Sequence, residues 1–178
     1  MTITSTAVFR SPAASRIRLA EPGDLVSLRA VYNHAVVHTD ATLDTDEKTA
    51  QDFEDWLAEH QERYCAGVHV TVDGQVCGYA TLSAYARRGG YYPLTELSVY
   101  LAPDAQGQGY GTALTRWVLA QARERDFATV VGFVTTTNEA SERMLVKCGF
   151  EQTGVMRQAG RKFGKYIDLG IWQAFLNR

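Results

Sequence analysis

Leu101-Ala102-Pro103-Asp104-Ala105-Gln106-Gly107-Gln108-Gly109-Tyr110-Gly111-Thr112-Ala113-Leu114 carries the chain from an apolar strand through three glycines straight into a helix. Glycine lets the backbone come close to a ligand, and the first turn of a helix points unpaired N–H groups outward at the positive end of its dipole. Such a turn can cradle phosphate. Its spacing is G-x-G-x-G, so it is neither the dinucleotide fingerprint G-x-G-x-x-G nor a loop ending in Gly-Lys-Ser/Thr. Read from the residues alone, it also fits a turn that merely changes direction.

The elements on either side of the turn give the architecture. Upstream, residues 95–101 read as a strand, preceded by a loop at 85–93 that holds Arg87-Arg88-Gly89-Gly90 and the pair Tyr91-Tyr92. Before that, Val68, Val70 and Val72 alternate with His69 and Thr71 up to Asp73-Gly74, and residues 75–83 follow. An Asp-Gly between alternating runs is a hairpin signal. Nearer the N-terminus, residues 16–19 form a short strand. Asp24 is then offered as the N-cap of a helix whose stripe is Leu25, Leu28, Val31, Tyr32, Ala35 and Val36. Thr49 caps a second helix carrying Phe53, Trp56 and Leu57, which ends in the polar run 59–63. Downstream of the turn, Leu114, Trp117, Val118, Gln121 and Ala122 mark a long helix ending near Arg125. A buried strand at 130–134, a short helix at 141–147 and a closing antiparallel pair at 150–156 and 166–172 complete the chain. The expectation is a single α+β domain over 16–176, with a mixed, mostly antiparallel sheet flanked by helices on both faces.

Composition removes several function classes. The 178 residues carry 18 basic and 20 acidic side chains, a formal net charge of −2, so no basic excess speaks for nucleic acid. Hydrophobic residues make up 46%, too many for a disordered chain. No apolar run approaches the ~20 residues of a membrane-spanning helix. Residues 1–15 lack the continuous apolar core of a secretory signal and read as a flexible leader. Cys65, Cys77 and Cys148 are widely spaced with no C-x-x-C pair, which suits free thiols in a reducing cytoplasm. His34 and His38 are four apart on the first helix but lack the Glu of H-E-x-x-H, so they and His60 and His69 read as surface or groove residues, and no metal is expected. Arg157, Arg161, Lys162 and Lys165 read as a solvated basic hairpin.

A family resemblance rests on the following residues. Gln106-x-x-Gly109-x-Gly111 after a strand, then Asn138-x-x-Ser141 and Lys147-Cys148-Gly149-Phe150, resembles the GCN5-related N-acetyltransferases (GNAT). Tyr32-Asn33-His34, Thr95-Glu96-Leu97-Ser98-Val99-Tyr100-Leu101 and Gly160-Arg161-Lys162-Phe163-Gly164-Lys165-Tyr166-Ile167-Asp168-Leu169 are similar to its phosphinothricin and methionine sulfoximine acetyltransferase branch. The likeness covers about residues 16–176. It implies a GNAT-like fold and acetyl-coenzyme A as cosubstrate. Val99, Tyr100 and Leu101 would meet the pantetheine arm, and Gly107, Gln108, Gly109, Tyr110, Gly111 and Thr112 the pyrophosphate. Asn138 and Ser141 would reach the cofactor, although both also fit as caps of the short helix. Relatives are commonly homodimers, and the same is expected here.

The resemblance also implies a base. An α-amino group has a pKa of roughly 8 and is mostly protonated at neutral pH, so acetyl transfer requires a group that takes its proton. Glu96 matches the glutamate that this branch uses, through a water molecule. A carboxylate on a strand beside an apolar channel would have its pKa raised toward the working pH. Relatives carry a Tyr or His as general acid where this chain has Leu145, so no acid is named; a thiolate leaving group needs little help. Cys148 reads as buried filler. Where the branch carries Trp-Arg-Pro, this chain has Tyr85-Ala86-Arg87, so Arg87 or Arg88 becomes the fork for an acceptor carboxylate, and Tyr91 and Tyr92 an aromatic rim. The expected reaction is acetylation of a small amino acid or analogue, phosphinothricin- or methionine sulfoximine-like. Two alternatives stay open: a protein N-terminal or lysine acetyltransferase, and a non-catalytic acyl-coenzyme A sensor.

Overall fold

Seven strands join in one sheet, in the order β1-β2-β3-β4-β5-β7-β6, in a computed structural model that describes residues 16–176. The leader at 1–15 lies outside the described residues. In chain order the elements are β1 (Arg16–Leu19), α1 (Leu25–His38), α2 (Ala50–Glu59), β2 (Cys65–Val70), β3 (Val76–Ala84), β4 (Leu94–Leu101), α3 (Tyr110–Glu124), β5 (Thr129–Thr135), α4 (Glu139–Lys147), β6 (Glu151–Lys162) and β7 (Lys165–Phe175). Every neighbouring pair is antiparallel except β4–β5, which α3 connects as a crossover.

The two-residue period of the strands divides the core into two layers. Ala66, Val68, Val70 and Tyr79 face α1 and α2, where they pack with Leu28, Val31, Phe53 and Leu57. Cys65, Ala80, Leu82, Leu97 and Val130 face α3 and α4, against Leu114, Val118, Ala122 and Leu145. Every residue of β2 is therefore buried. Gly67 is required by this packing, because a Cβ there would stand 2.3 Å from the Trp117 ring of α3. The α+β class and the helices on both faces are as the sequence predicts.

Several local expectations change. Thr49 does cap α2, accepting the Asp52 N–H in a full capping box. Asp24 does not cap α1 with its side chain. It already has helical dihedrals, and its carboxylate takes two hydrogen bonds from Arg18, at 2.6 and 2.8 Å, and one from the Glu21 N–H at 2.9 Å. The closing hairpin is longer than its alternation suggests, because β6 bulges between Met156 and Gly160, with Gln158 at φ 52. Asp168 Oδ1 accepts the Gln158 N–H at 2.7 Å and holds that bulge, and the hairpin turns on Phe163 and Gly164, both at positive φ.

Candidate active site

The β4–β5 ladder runs from Leu94↔Thr129 to Leu97↔Gly132 and stops there. Past that point the two strands splay, and a cavity of about 350 Å³ opens between Val99 and Tyr100 on one side and Phe133, Val134 and Thr135 on the other. Asn138, Ser141, Met144 and Leu145 line one face of it, and Tyr32 with residues 40–44 the other. The parallel ladder's end thus leaves β4 backbone groups facing open space instead of a neighbouring strand.

Glu96 lies at the inner end of this cleft, half-buried. Its side chain points to the α1 and α2 face, since Ser83↔Glu96, Thr81↔Ser98 and Tyr79↔Tyr100 are cross-strand partners. Burial pushes its carboxyl above the usual range. The surrounding phenols are neutral: burial drives Tyr100 up to about 12, and burial followed by the Tyr100 and Asp44 neighbours drives Tyr32 higher still.

The glycine turn begins beyond the outer end of β4. Gly107 and Gly109 take φ of 73° and 85°, and a Cβ at either would meet open space. The left-handed conformation alone requires glycine there. Gly109 is the N-cap of α3 with no side-chain cap, and the first helical bond runs from the Ala113 N–H to the Gly109 carbonyl. The N–H groups of Tyr110, Gly111 and Thr112 therefore have no intrahelical acceptor. A Cβ on Gly111 would stand 2.8 Å from Met144 Sδ, so this glycine lets α3 and α4 meet. The Gln108 side chain donates to the Asp104 carbonyl at 2.7 Å and so is tied back to the turn. Tyr110 stacks on His69 with ring centroids 4.1 Å apart.

The remaining candidates divide. Asn138 and Ser141 line the cleft, and Asn138 Oδ1 caps α4 by accepting the Ser141 N–H at 3.1 Å, so capping accounts for that oxygen. Leu145 is 2% exposed, a core side chain with its edge on the cleft. Cys148 is half-buried, its thiol pushed up by burial. Arg87, Arg88, Tyr91 and Tyr92 are exposed, and none of them lines the cavity. Their loop approaches its mouth through Tyr85, which packs edge-on against Tyr91 and stacks on the cleft residue Phe133. Arg63 lies over the Tyr92 ring, 3.3 Å from its centroid.

Sequence reading missed the loop at 39–44 that forms one cleft wall. Tyr32 OH donates to Asp44 Oδ2 at 2.6 Å and lies 3.1 Å from Thr42 Oγ1, while Thr137 Oγ1 donates to Asp40 Oδ2 at 2.8 Å. Leu43 packs so closely on Gly160 of β6 that a Cβ there would stand 2.7 Å from it. Lys162 is the correction to the solvated hairpin: it is 5% exposed and donates to the Thr42 carbonyl at 2.8 Å. Arg157, Arg161 and Lys165 are exposed as expected. Burial depresses the Lys162 ammonium, with Asp40 and Asp44 pulling the other way. The only sequence signal was that Gly160 and Lys162 share one face of β6, two residues apart.

The histidine reading also needs correction. His34 and His38 lie on α1 with rings 4.6 Å apart, but His60 and His69 are buried at 6% and 4% exposure. Among the described residues, no group of three or more His, Cys, Asp or Glu could hold a metal, and no helix is long and apolar enough to cross a membrane.

Comparison with known proteins agrees with this geometry. The acetyltransferase (GNAT) family model matches residues 28–150. The chain is 33% identical over 164 residues to a phosphinothricin N-acetyltransferase of Streptomyces coelicolor, covering 90% of this chain and 96% of that protein. It is 34% identical over 169 residues to an L-methionine sulfoximine/L-methionine sulfone acetyltransferase of Salmonella typhimurium, covering 90% and 94%. Among solved structures, a Salmonella typhimurium acetyltransferase with acetyl-CoA superposes with a TM-score of 0.90 at 31% identity, over 93% of this chain and 96% of that one. A phosphinothricin acetyltransferase of Sinorhizobium meliloti in complex with acetyl-CoA gives 0.88 at 27% identity, over 92% and 89%.

Proposed function

The chain belongs to the acetyltransferase (GNAT) family, and from that premise we propose that it moves the acetyl group of acetyl-CoA directly onto the amino group of a small amino acid or analogue, with Glu96 as general base. The protein is an N-acetyltransferase, and acetyl-CoA is its cosubstrate. The single observation that carries the rest is a half-buried carboxylate of raised basicity at the inner end of a cleft whose outer end leads to a glycine-built helix N-terminus.

The residues present fit the cosubstrate. The unpaired edge of β4 at Val99, Tyr100 and Leu101 suits the amides of the pantetheine arm, and the outward N–H groups of residues 107–112 suit its pyrophosphate. Bound there, acetyl-CoA supplies a thioester whose sulfur leaves as a thiolate. Glu96 accepts the ammonium proton of the acceptor through a water molecule, which frees the nitrogen lone pair; its raised pKa keeps it a competent base near neutral pH. With Leu145 in the position of an acid, no side chain is assigned to protonate the sulfur. Asn138 and Ser141, which line the cleft, would reach the cofactor, and Arg87 or Arg88 with Tyr91 and Tyr92, outside it, would meet the acceptor from the loop whose Tyr85 stacks on Phe133.

The deciding experiment is a coupled thiol-release assay across phosphinothricin, methionine sulfoximine, methionine sulfone, simple amines and an alanine-initiated peptide. Turnover confined to the amino acids supports the proposal. Turnover of the peptide alone would transfer the chain to the protein acetyltransferases, and acetyl-CoA binding without turnover of any acceptor would leave a sensor. A homodimer is also proposed, supported by Val155, Met156, Phe163 and Tyr166, all exposed on the edge hairpin β6–β7. Light scattering tests it. A cytoplasmic location is proposed from the free cysteines and is tested by cell fractionation.

A further inference from the structure

His60 is a buried polar side chain that the proposed chemistry does not use. It caps the C-terminal end of α2 and packs against the Trp56 ring, with centroids 4.7 Å apart. Its Nδ1 lies 2.6 Å from the Trp56 carbonyl oxygen and its Nε2 lies 2.9 Å from Ser83 Oγ. A carbonyl only accepts, so Nδ1 carries the hydrogen. Burial lowers the imidazole's pKa, which leaves the ring neutral and Nε2 a bare acceptor. The Ser83 hydroxyl must therefore donate to His60. Ser83 stands directly opposite Glu96 across the β3–β4 ladder, which puts their Cβ atoms about 5 Å apart on the same face.

We infer that His60 is a positioning residue for Glu96: by drawing the Ser83 hydrogen onto its own Nε2, it leaves only oxygen lone pairs facing the carboxylate and so keeps Glu96 the stronger base. A hydroxyl free to rotate would donate to the carboxylate and stabilise its ionised form. A hydroxyl held by His60 has no hydrogen left to offer the ionised form. The inference rests on Glu96 as the base, and it adds what sets that base's strength.

Other polar and titratable groups surround the pair. Tyr100 on β4, Tyr79 on β3 and Tyr32 on α1 are raised by burial and remain neutral. Asp44, in the loop at 39–44, is held low and ionised: burial opposes this, but its bonds with Tyr32 and Lys48 prevail. Asp40 on the same loop is held by Thr137, and Lys162 lies behind Thr42. Glu59, the residue before His60, favours the imidazolium but is outweighed by burial. Ser83 Oγ also lies 3.3 Å from Thr81 Oγ1, placed to donate to it, but the unprotonated imidazole nitrogen is closer, at 2.9 Å, and the stronger acceptor, so it takes the single hydroxyl hydrogen.

The test is a ¹³C NMR titration of the Glu96 carboxyl in protein labelled at glutamate, with Glu96→Gln assigning the resonance. His60→Phe, which keeps the ring, should lower the Glu96 midpoint by about one pH unit, the size expected of one new hydrogen bond to a charged acceptor. Ser83→Ala should move it much less, and His60→Phe/Ser83→Ala should follow Ser83→Ala, because without the hydroxyl the histidine has nothing to act through. An unmoved midpoint in His60→Phe, or a shift that survives in the double variant, overturns the inference. Long-range ¹H–¹⁵N spectra of the unaltered protein supply a measurement that needs no variant: the Nε2–H tautomer of His60 would also overturn it. Failure of the base assignment reads out separately, as full turnover in Glu96→Gln.

Discussion

Gly109→Ala isolates the backbone of the glycine turn from its sterics. Gly109 sits at φ 85° and a Cβ there meets nothing within 4 Å, so the substitution costs only the left-handed conformation, ~1–2 kcal/mol for an L side chain. Gly74, in the β2–β3 turn, supplies a matched control: its φ is 82° and its Cβ space is equally open, but it stands outside the candidate site. Both alanine variants should lose similar stability, and for a chain this long each kcal/mol lowers Tm by roughly 2–4 °C. Only Gly109→Ala should also disturb the N–H groups of Tyr110, Gly111 and Thr112. A hydrogen bond to a charged phosphate contributes ~1.5–3 kcal/mol, so distortion of one or two should weaken acetyl-CoA binding by about 10- to 100-fold. Differential scanning fluorimetry reads the first quantity and isothermal titration with acetyl-CoA the second. Equal affinities in the two variants at matched Tm loss would refute the phosphate-cradle reading. Wild-type Tm in both would refute the backbone argument itself.

Glu96→Gln should reduce turnover at least ~10²-fold while leaving acetyl-CoA binding intact, measured by thiol release and titration. Because burial raises the Glu96 pKa, its contribution to stability is full below the unfolded value of 4.5 and is lost as pH rises through the folded value; Glu96→Gln should therefore flatten the fall of Tm above that pH, and an unchanged slope would count against the burial. Lys162→Met keeps length and apolar volume but releases the Thr42 carbonyl, so KM for the acceptor should rise about fivefold, equivalent to ~1 kcal/mol, with KM for acetyl-CoA unchanged. Asp24 is held below 3.8 against burial by Arg18 and the Glu21 N–H, so its contribution is present above the unfolded pKa and lost as pH falls through the folded one. The Tm deficit of Asp24→Asn should accordingly shrink in an acid series; a constant deficit would mean the pair is not the cause.

What the sequence revealed and what it hid follow from the range of the interactions. Local periodicity and turn chemistry gave the order of elements, and the Thr49 cap, the Asp73-Gly74 hairpin and the glycine turn all depend on neighbours within a few residues. Asp24 was misread because its best partner, Arg18, lies on the far side of a Pro-Gly turn, and a bidentate guanidinium outcompetes helix N–H groups. Lys162 looked solvated among basic neighbours, yet its partner is a carbonyl 120 residues away, a distance no pattern reports. His60 carried no sign of burial because it lies one residue past the end of α2, where polar residues usually meet water. The wall at 39–44 was illegible for the same reason: its sequence is that of an ordinary loop, and its position is set by β6 and α1.

The splay of β4 from β5 has a consequence for how the molecule opens. Residues 16–101 form one antiparallel block, β1-β2-β3-β4, and residues 129–175 another, β5-β7-β6, and between them the sheet has only the pairs from Leu94↔Thr129 to Leu97↔Gly132. That four-pair seam is the one ladder that joins the two blocks, so local opening of the sheet should begin there. A ligand lying along the open edge of β4 and reaching the start of α3 bridges the seam that the backbone leaves unsewn. Amide hydrogen exchange should therefore show acetyl-CoA protecting β5 and the end of β4 far more than the β6–β7 hairpin, with the cosubstrate acting as the strand that the sheet lacks.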